Sequence, residues 1–168
     1  IESKQAPLEF NSCFNATSRV DRYFINYNES CPANMTRYVW NIKKYKPNLE
    51  RLNQYCKCLH GELDCSSFAA SGDDSVSPNR YIDDAYFFIQ KDIWQNDILV
   101  FQIEANAFLW KMVRTLTGTL INLDKTNASE DAMEKILLSK DRTKAGVTAP
   151  PDGLFLYKIN FDGIRRHV

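Results

Sequence analysis

A chain of 168 residues is enough for one domain, and 44% hydrophobic residues are enough to close a core. Twenty-one Lys and Arg against 21 Asp and Glu give a formal net charge of zero, which excludes a globally basic nucleic-acid binder, so any RNA contact has to come from a local patch. No apolar run is long enough to span a membrane.

The chain begins with Ile1 rather than methionine, which fits a processed chain or a piece of a longer one. A loop-like passage, Phe10 to Thr17, leads into Arg19–Tyr27, where Val20, Arg22, Phe24 and Asn26 alternate against Asp21, Tyr23, Ile25 and Tyr27. That is a strand with neither face cleanly polar, suited to the floor of a cleft. Glu29 to Asn34 carries turn residues, and Thr36–Asn41 reads as a short strand ending near Trp40. A helix is expected from Asn48, after Pro47, because Leu49, Leu52, Cys56 and Leu59 recur at three and four residues, with Gly61 as its C-terminal cap. A polar loop runs through Asp73 and Asp74 to Pro78. Arg80–Gln90 and Asp97–Glu104 then read as paired strands joined by a turn around Gln95-Asn96-Asp97, with Val100, Gln102 and Glu104 opposite Leu99, Phe101 and Ile103.

The stretch Ala105 to Leu120 reads as a helix with apolar surface on more than one side. Leu109, Met112, Val113, Leu116 and Leu120 form one stripe, while Trp110, Thr117 and Ile121 fall on the far side. Arg114 sits in that far-side group. A guanidinium stays charged, so a buried one needs a carboxylate, a phosphate or several carbonyls. The plain alternatives are that Arg114 snorkels to the rim or completes an ordinary ion pair. A second helix is expected with Ser129 as N-cap, Glu130 and Asp131 in its first turn, Ala132, Met133, Ile136 and Leu137 on its buried face, and Lys140 near its end. After the loop Ala149 to Gly153, a closing strand covers Leu154–Phe161. Grouped strands with fewer helices predict an α+β fold, an antiparallel or mixed sheet with helices packed on one face, forming a single domain over 1–168.

Cys13, Cys31, Cys56, Cys58 and Cys65 are an odd number, so free thiols are the default. Cys56, Cys58, His60 and Cys65 make a poor zinc set, because the spacing lacks paired knuckles, and no metal is expected. Asn-x-Ser/Thr triplets at Asn15, Asn28, Asn34 and Asn127 would matter in a secreted protein, but they arise easily by chance. Local basic patches are Lys43, Lys44 and Lys46 with Arg51, Arg19 with Arg22, and Arg165 with Arg166, each of which also reads as ordinary solvated surface.

The run Ala105-Asn106-Ala107-Phe108-Leu109-Trp110-Lys111-Met112-Val113-Arg114, followed by Gly118-Thr119-Leu120, closely resembles the helix motif of the tRNA pseudouridine synthase A (TruA) family. Further passages resemble the C-terminal half of that family, in family order. They are Phe10-Asn11 through Ala16-Thr17, Ser18-Arg19 with Arg22-Tyr23, Gly61-Glu62 with Ser67-Phe68, Ser77-Pro78 with Arg80, and Lys140-Asp141-Arg142 through Ala149-Pro150-Pro151 to Leu156. The resemblance implies a cytoplasmic, homodimeric, cofactor-free isomerase that converts uridine to pseudouridine in the anticodon stem-loop of tRNA. The chemistry breaks the glycosidic C–N bond, turns the base and rejoins it through carbon. It calls for an ionised carboxylate, a partner that keeps it ionised, and a flat side chain against the extruded base.

By resemblance Arg114 is the catalytic partner of that carboxylate, which belongs to an Arg-Thr-Asp-Ala-Gly motif not found in these residues. Arg142-Thr143-Lys144-Ala145-Gly146 carries lysine in its place and belongs to the C-terminal motif instead. This chain alone is therefore expected to be inactive, the N-terminal catalytic half being absent. Asp21 stands where the family has a base-stacking tyrosine, Tyr23 matches a second aromatic two residues on, and Cys13 replaces an arginine. Tyr23, Asp21, Arg80, Asn106, Arg22 and Arg19 are the substrate-binding candidates, the arginines as phosphate contacts. Arg80 also has Asp83 or Asp84 as possible partners, and Asn106 serves equally well to fix the helix entry. The competing expectation is a non-catalytic RNA-binding or partner-binding module derived from that fold.

Overall fold

In the computed structural model, which describes residues 5–166, six strands form one mixed sheet and three α-helices pack with it. The strands are β1 (Ser18–Asn26), β2 (Trp40–Asn41), β3 (Gly61–Asp64), β4 (Asn79–Lys91), β5 (Asp97–Ala105) and β6 (Leu154–Asn160). The helices are α1 (Leu49–Cys56), α2 (Met112–Lys125) and α3 (Ala132–Ser139). The sheet order is β2-β1-β5-β4-β3, and β6 also pairs with β1. β2 runs parallel to the end of β1, and the remaining pairs are antiparallel. The class expected from the sequence is thus present as an α+β domain with a mixed sheet. Among the described residues, no helix is long and apolar enough to cross a membrane.

The hairpin β4–β5 forms where the alternation places it. Its turn is held by the Asp92 carboxylate, which accepts from the backbone N–H groups of Trp94 and Asn96, and Gln95 takes the left-handed conformation at φ 67°. Leu99, Phe101, Ile103 and Ala105 of β5 join Tyr23 and Ile25 of β1 in the main core. Leu52 and Tyr55 of α1, Met112, Leu116 and Leu120 of α2, and Met133 and Leu137 of α3 complete it.

Four boundaries differ from the sequence expectation. α2 begins at Met112, not Ala105, because Ala105 is still in the sheet opposite Arg19 and Ile82, and Lys111 lies in the left-handed region at φ 60°. α1 is capped by the Asn48 side chain, which accepts from the Arg51 N–H, but it ends at Cys56. Gly61, at φ +84°, instead opens β3, a strand made by pairing with β4. Ser129 does not cap α3: its hydroxyl bonds the Asp131 carboxylate at 2.6 Å, and Asp131 occupies the cap position without a side-chain bond. Of Thr36–Asn41, only Trp40–Asn41 enters the sheet.

α2 is buried on nearly all sides. Its threonines meet this by bonding back along the helix, Thr117 Oγ1 to Val113 O and Thr119 Oγ1 to Thr115 O, both at 2.8 Å. Gly118 allows the segment Gly146–Ala149 to lie directly on the helix, where a Cβ at 118 would collide with the Val147 carbonyl. The Gly146 N–H donates to Thr119 Oγ1 at 2.9 Å, so helix and segment are stitched together.

Candidate active site

Arg114 is partly buried in the first turn of α2. Its Nε donates to the Ala149 carbonyl at 2.8 Å, and the Ala149 N–H returns a bond to Arg114 O at 3.1 Å. No carboxylate among the described residues lies within ion-pairing distance of it. Anchoring through Nε fixes the plane of the guanidinium and leaves its two terminal nitrogens as a fork of the shape that receives a carboxylate end-on.

Tyr23 reaches the same turn from β1. Its hydroxyl donates to Pro150 O at 2.6 Å, one residue beyond the carbonyl that holds Arg114. The ring is fully buried, crowded by Gly153 and edge-on to Trp40 at 6.2 Å, so in this arrangement it has no face open to a base. Burial holds the Tyr23 hydroxyl well above the usual phenol range, while the nearby Arg114 charge pulls the other way and Asp152 adds to the rise. Tyr23 and Arg114 are therefore tethered to adjacent carbonyls of one loop.

Asp21 and Arg19 share the strand face of Tyr23, since alternate residues of a strand point the same way. Arg19 donates to the carbonyls of Asn106, at 2.8 Å, and Cys13, at 2.6 Å. Asn106 accepts from the Tyr81 N–H through its side chain and donates to Arg166 O, which fixes the exit from β5. Arg80 donates to the carbonyls of Ser77 and Asn79, not to Asp83 or Asp84, and its Nε is buried without a partner. Arg80, Asn106 and Arg165 line one cavity of about 490 Å³. Arg19 is bound to the backbone of that same Asn106, so Arg80, Asn106 and Arg19 gather at one end of β5, whereas Tyr23 and Arg114 share the Ala149–Pro150 turn, and Asp21 stands between Arg19 and Tyr23 along β1. Arg22 is separated from them. It lies on the opposite face of β1, bonded to Gln102 at 2.7 Å and stacked over the Tyr157 ring at 3.5 Å.

The carbonyls of Ala149 and Pro150 are the site elements missed by residue-type reasoning, because a backbone oxygen carries no signal in its side chain. Among the described residues, no three His, Cys, Asp or Glu side chains gather to hold a metal ion. Cys56 and Cys65 are buried, and His60 Nδ1 sits 3.1 Å from Asp83 O.

Burial pushes the Asp21 carboxyl up to about 6, with Arg19 pulling it down in part. The folded state therefore binds the Asp21 proton more tightly than the unfolded chain. The penalty for ionising it is absent below pH 4 and sets in as pH rises towards 6. Asp21→Asn is expected to stabilise the fold by about 2 kcal/mol at pH 7 and to leave it unchanged near pH 3.5. Urea unfolding of both proteins at the two pH values measures this; equal gains at both would show that charge is not the cause.

Fold and site define an α+β domain built around a helix-borne arginine. A sequence profile described as tRNA pseudouridine synthase matches residues 55–162. The chain is 51% identical over 148 residues to the tRNA pseudouridine synthase A of Treponema denticola, covering 88% of this chain and 53% of that protein. It is 40% identical over 145 residues to the Treponema pallidum protein of the same name, covering 86% and 50% respectively. It is 37% identical over 159 residues to that of Thermoanaerobacter sp., covering 95% and 63%. The chain belongs to the tRNA pseudouridine synthase family, and it spans about half the length of the curated relatives it matches.

Proposed function

We propose that this chain forms the C-terminal half of a tRNA pseudouridine synthase, with its helices packed on the sheet face that bears Tyr23. The reaction is the isomerisation of uridine to pseudouridine in the anticodon stem-loop, with no cofactor, in a cytoplasmic homodimer. The observation that carries this reading is the Arg114 guanidinium, held by Ala149 O and without an acid among the described residues. An aspartate from the Arg-Thr-Asp motif of the family would dock on its terminal nitrogens. An opposite charge at contact favours the ionised carboxylate by about 1–3 pKa units, which keeps it competent to act on the sugar or base as the C–N bond breaks. Tyr23 acts as a positioning residue, holding the Ala149–Pro150 turn that holds Arg114. Arg19, Arg80 and Asn106 would face the RNA backbone, and Asp21 the extruded base. Arg22 would contribute at a separate surface.

In a protein that joins this chain to the Asp-bearing half found in the family, Arg114→Ala is expected to lower pseudouridine formation by about 100-fold. Roughly 1.5–3 kcal/mol is the worth of a hydrogen-bonded charge pair. Tritium release from labelled tRNA measures it, and an undiminished rate would refute the assignment. The second reading, a non-catalytic RNA-binding module, is favoured by Asp21 at the stacking position and by the buried Tyr23 ring. Unimpaired tRNA binding with no turnover in the joined protein would select it.

A further inference from the structure

Away from Arg114 and Tyr23, the loop after β2, the start of α1 and the end of α2 line a polar cavity of about 380 Å³. Lys43, Lys44, Lys46, Arg51 and Lys125 line it, and Asp124 is the single acid there. Five cations around one carboxylate stand out in a chain whose net charge is zero. The acid does not neutralise the lysines. It is buried and saturated, binding Arg51 Nη2 at 2.7 Å, the Tyr45 hydroxyl at 2.5 Å and the Asn48 N–H at 3.2 Å. Lys43, Lys44, Lys46 and Lys125 are exposed, and none of the four pairs with an acid among the described residues.

The frame that carries these lysines is fixed. Lys44 takes the left-handed conformation at φ 59°, Tyr45 is buried between Lys44 and Lys46, and Lys125 Nζ lies 5.4 Å from the centre of the Tyr45 ring. Compact ammonium groups on a polar floor suit phosphates met as point charges, and the polar lining offers nothing to a lipid chain. Position supplies the rest. Arg114 and Lys125 are eleven residues apart on α2, which is about 16 Å along the axis and about 20° around it. Both emerge on one side of the helix, with Gly118 and its covering segment between them.

We infer that Lys43, Lys44, Lys46 and Lys125 form a second RNA backbone site, which grips the phosphates flanking the nucleotide presented at Arg114. This rests on the reading of the chain as half of a tRNA-modifying enzyme. The site reads no sequence: it fixes where the stem-loop lies relative to α2. An acidic protein would need matching carboxylates, whereas RNA provides the charge at every nucleotide and reaches both ends of α2 in one molecule.

Filter binding of the full chain to an unmodified tRNA transcript over a salt series tests this. The wild type is compared with K43A/K44A/K46A/K125A and with K57A/K158A, which removes two exposed lysines elsewhere. Each lost phosphate contact lowers the log–log salt slope by about 0.7–0.9, so the fourfold variant should show a slope shallower by roughly 3, with the control unchanged. Thermal melts identical to wild type exclude unfolding as the cause. A steep wild-type slope that survives in the folded fourfold variant overturns the second site and leaves the synthase reading intact. A wild-type chain that fails to bind tRNA even at low salt overturns this site together with the assignment of tRNA as its partner.

Discussion

Asp124→Ala is expected to destabilise the domain by about 3–5 kcal/mol, lowering Tm by roughly 10–15 °C for a chain of this size. Asp124 is 2% exposed and holds three groups at once: Arg51 through both Nε and Nη2, the Tyr45 hydroxyl, and the backbone N–H of Asn48. Those contacts join the end of α2 to the loop before α1 and to the first turn of α1, segments more than 70 residues apart in the chain. Removing the carboxylate leaves the buried Tyr45 hydroxyl without its acceptor and the partly buried Arg51 guanidinium without its counter-charge, held only by Asn127 Oδ1 and the backbone carbonyl of residue 124. Burial, with the bond to Asp124 adding to it, holds the Tyr45 hydroxyl far above the usual phenol range while the carboxylate is present, so Tyr45 meets Asp124 as a neutral donor. The double variant Arg51→Met with Asp124→Ala should recover part of the loss, because it removes the stranded charge. Denaturant unfolding of the two single variants and the double gives the coupling energy. A loss below about 1 kcal/mol for Asp124→Ala would mean that the network contributes little.

Gly118→Ala should destabilise by about 2–3 kcal/mol and loosen Arg114 at the same time. Intrinsic preference argues the other way, since alanine in a helix interior is better than glycine by about 1 kcal/mol. The added Cβ meets the Val147 carbonyl and comes within 3.2 Å of the Ala149 nitrogen, which is backbone that cannot rotate aside. Lifting the Gly146–Ala149 segment removes the Gly146 bond to Thr119 and carries away the Ala149 carbonyl that fixes the Arg114 Nε. Protease sensitivity confined to residues 142–150, together with a lower midpoint in urea, is the expected outcome. A variant as stable as wild type would show that the covering segment yields at no cost.

Much of the fold was legible because its causes are local. Alternating apolar residues produced the β4–β5 hairpin, and Asn48 with the spacing of Leu49, Leu52 and Cys56 produced α1. The apolar wrapping of Leu109 to Ile121 correctly marked α2 as a helix through the interior, yet it overran the true start. Leu109 is buried while still in the connecting loop, and periodicity does not distinguish a buried loop residue from a buried helical one. β3 escaped notice because four residues carry little pattern and become a strand only against β4.

The amino-acid sequence by itself determined which segments alternate, which wrap in apolar residues, and which motif words appear, including the arginine at 114 and the aspartate at 21. Tertiary structure alone decided that β6 lies against β1 across most of the chain, that Tyr23 and Arg114 are moored to neighbouring carbonyls, and that Arg22 turns to the far face of the sheet. The reason is physical. Propensity and periodicity act over a few residues. The partners of a buried guanidinium or phenol are chosen by chain closure, which brings together atoms that no local rule connects.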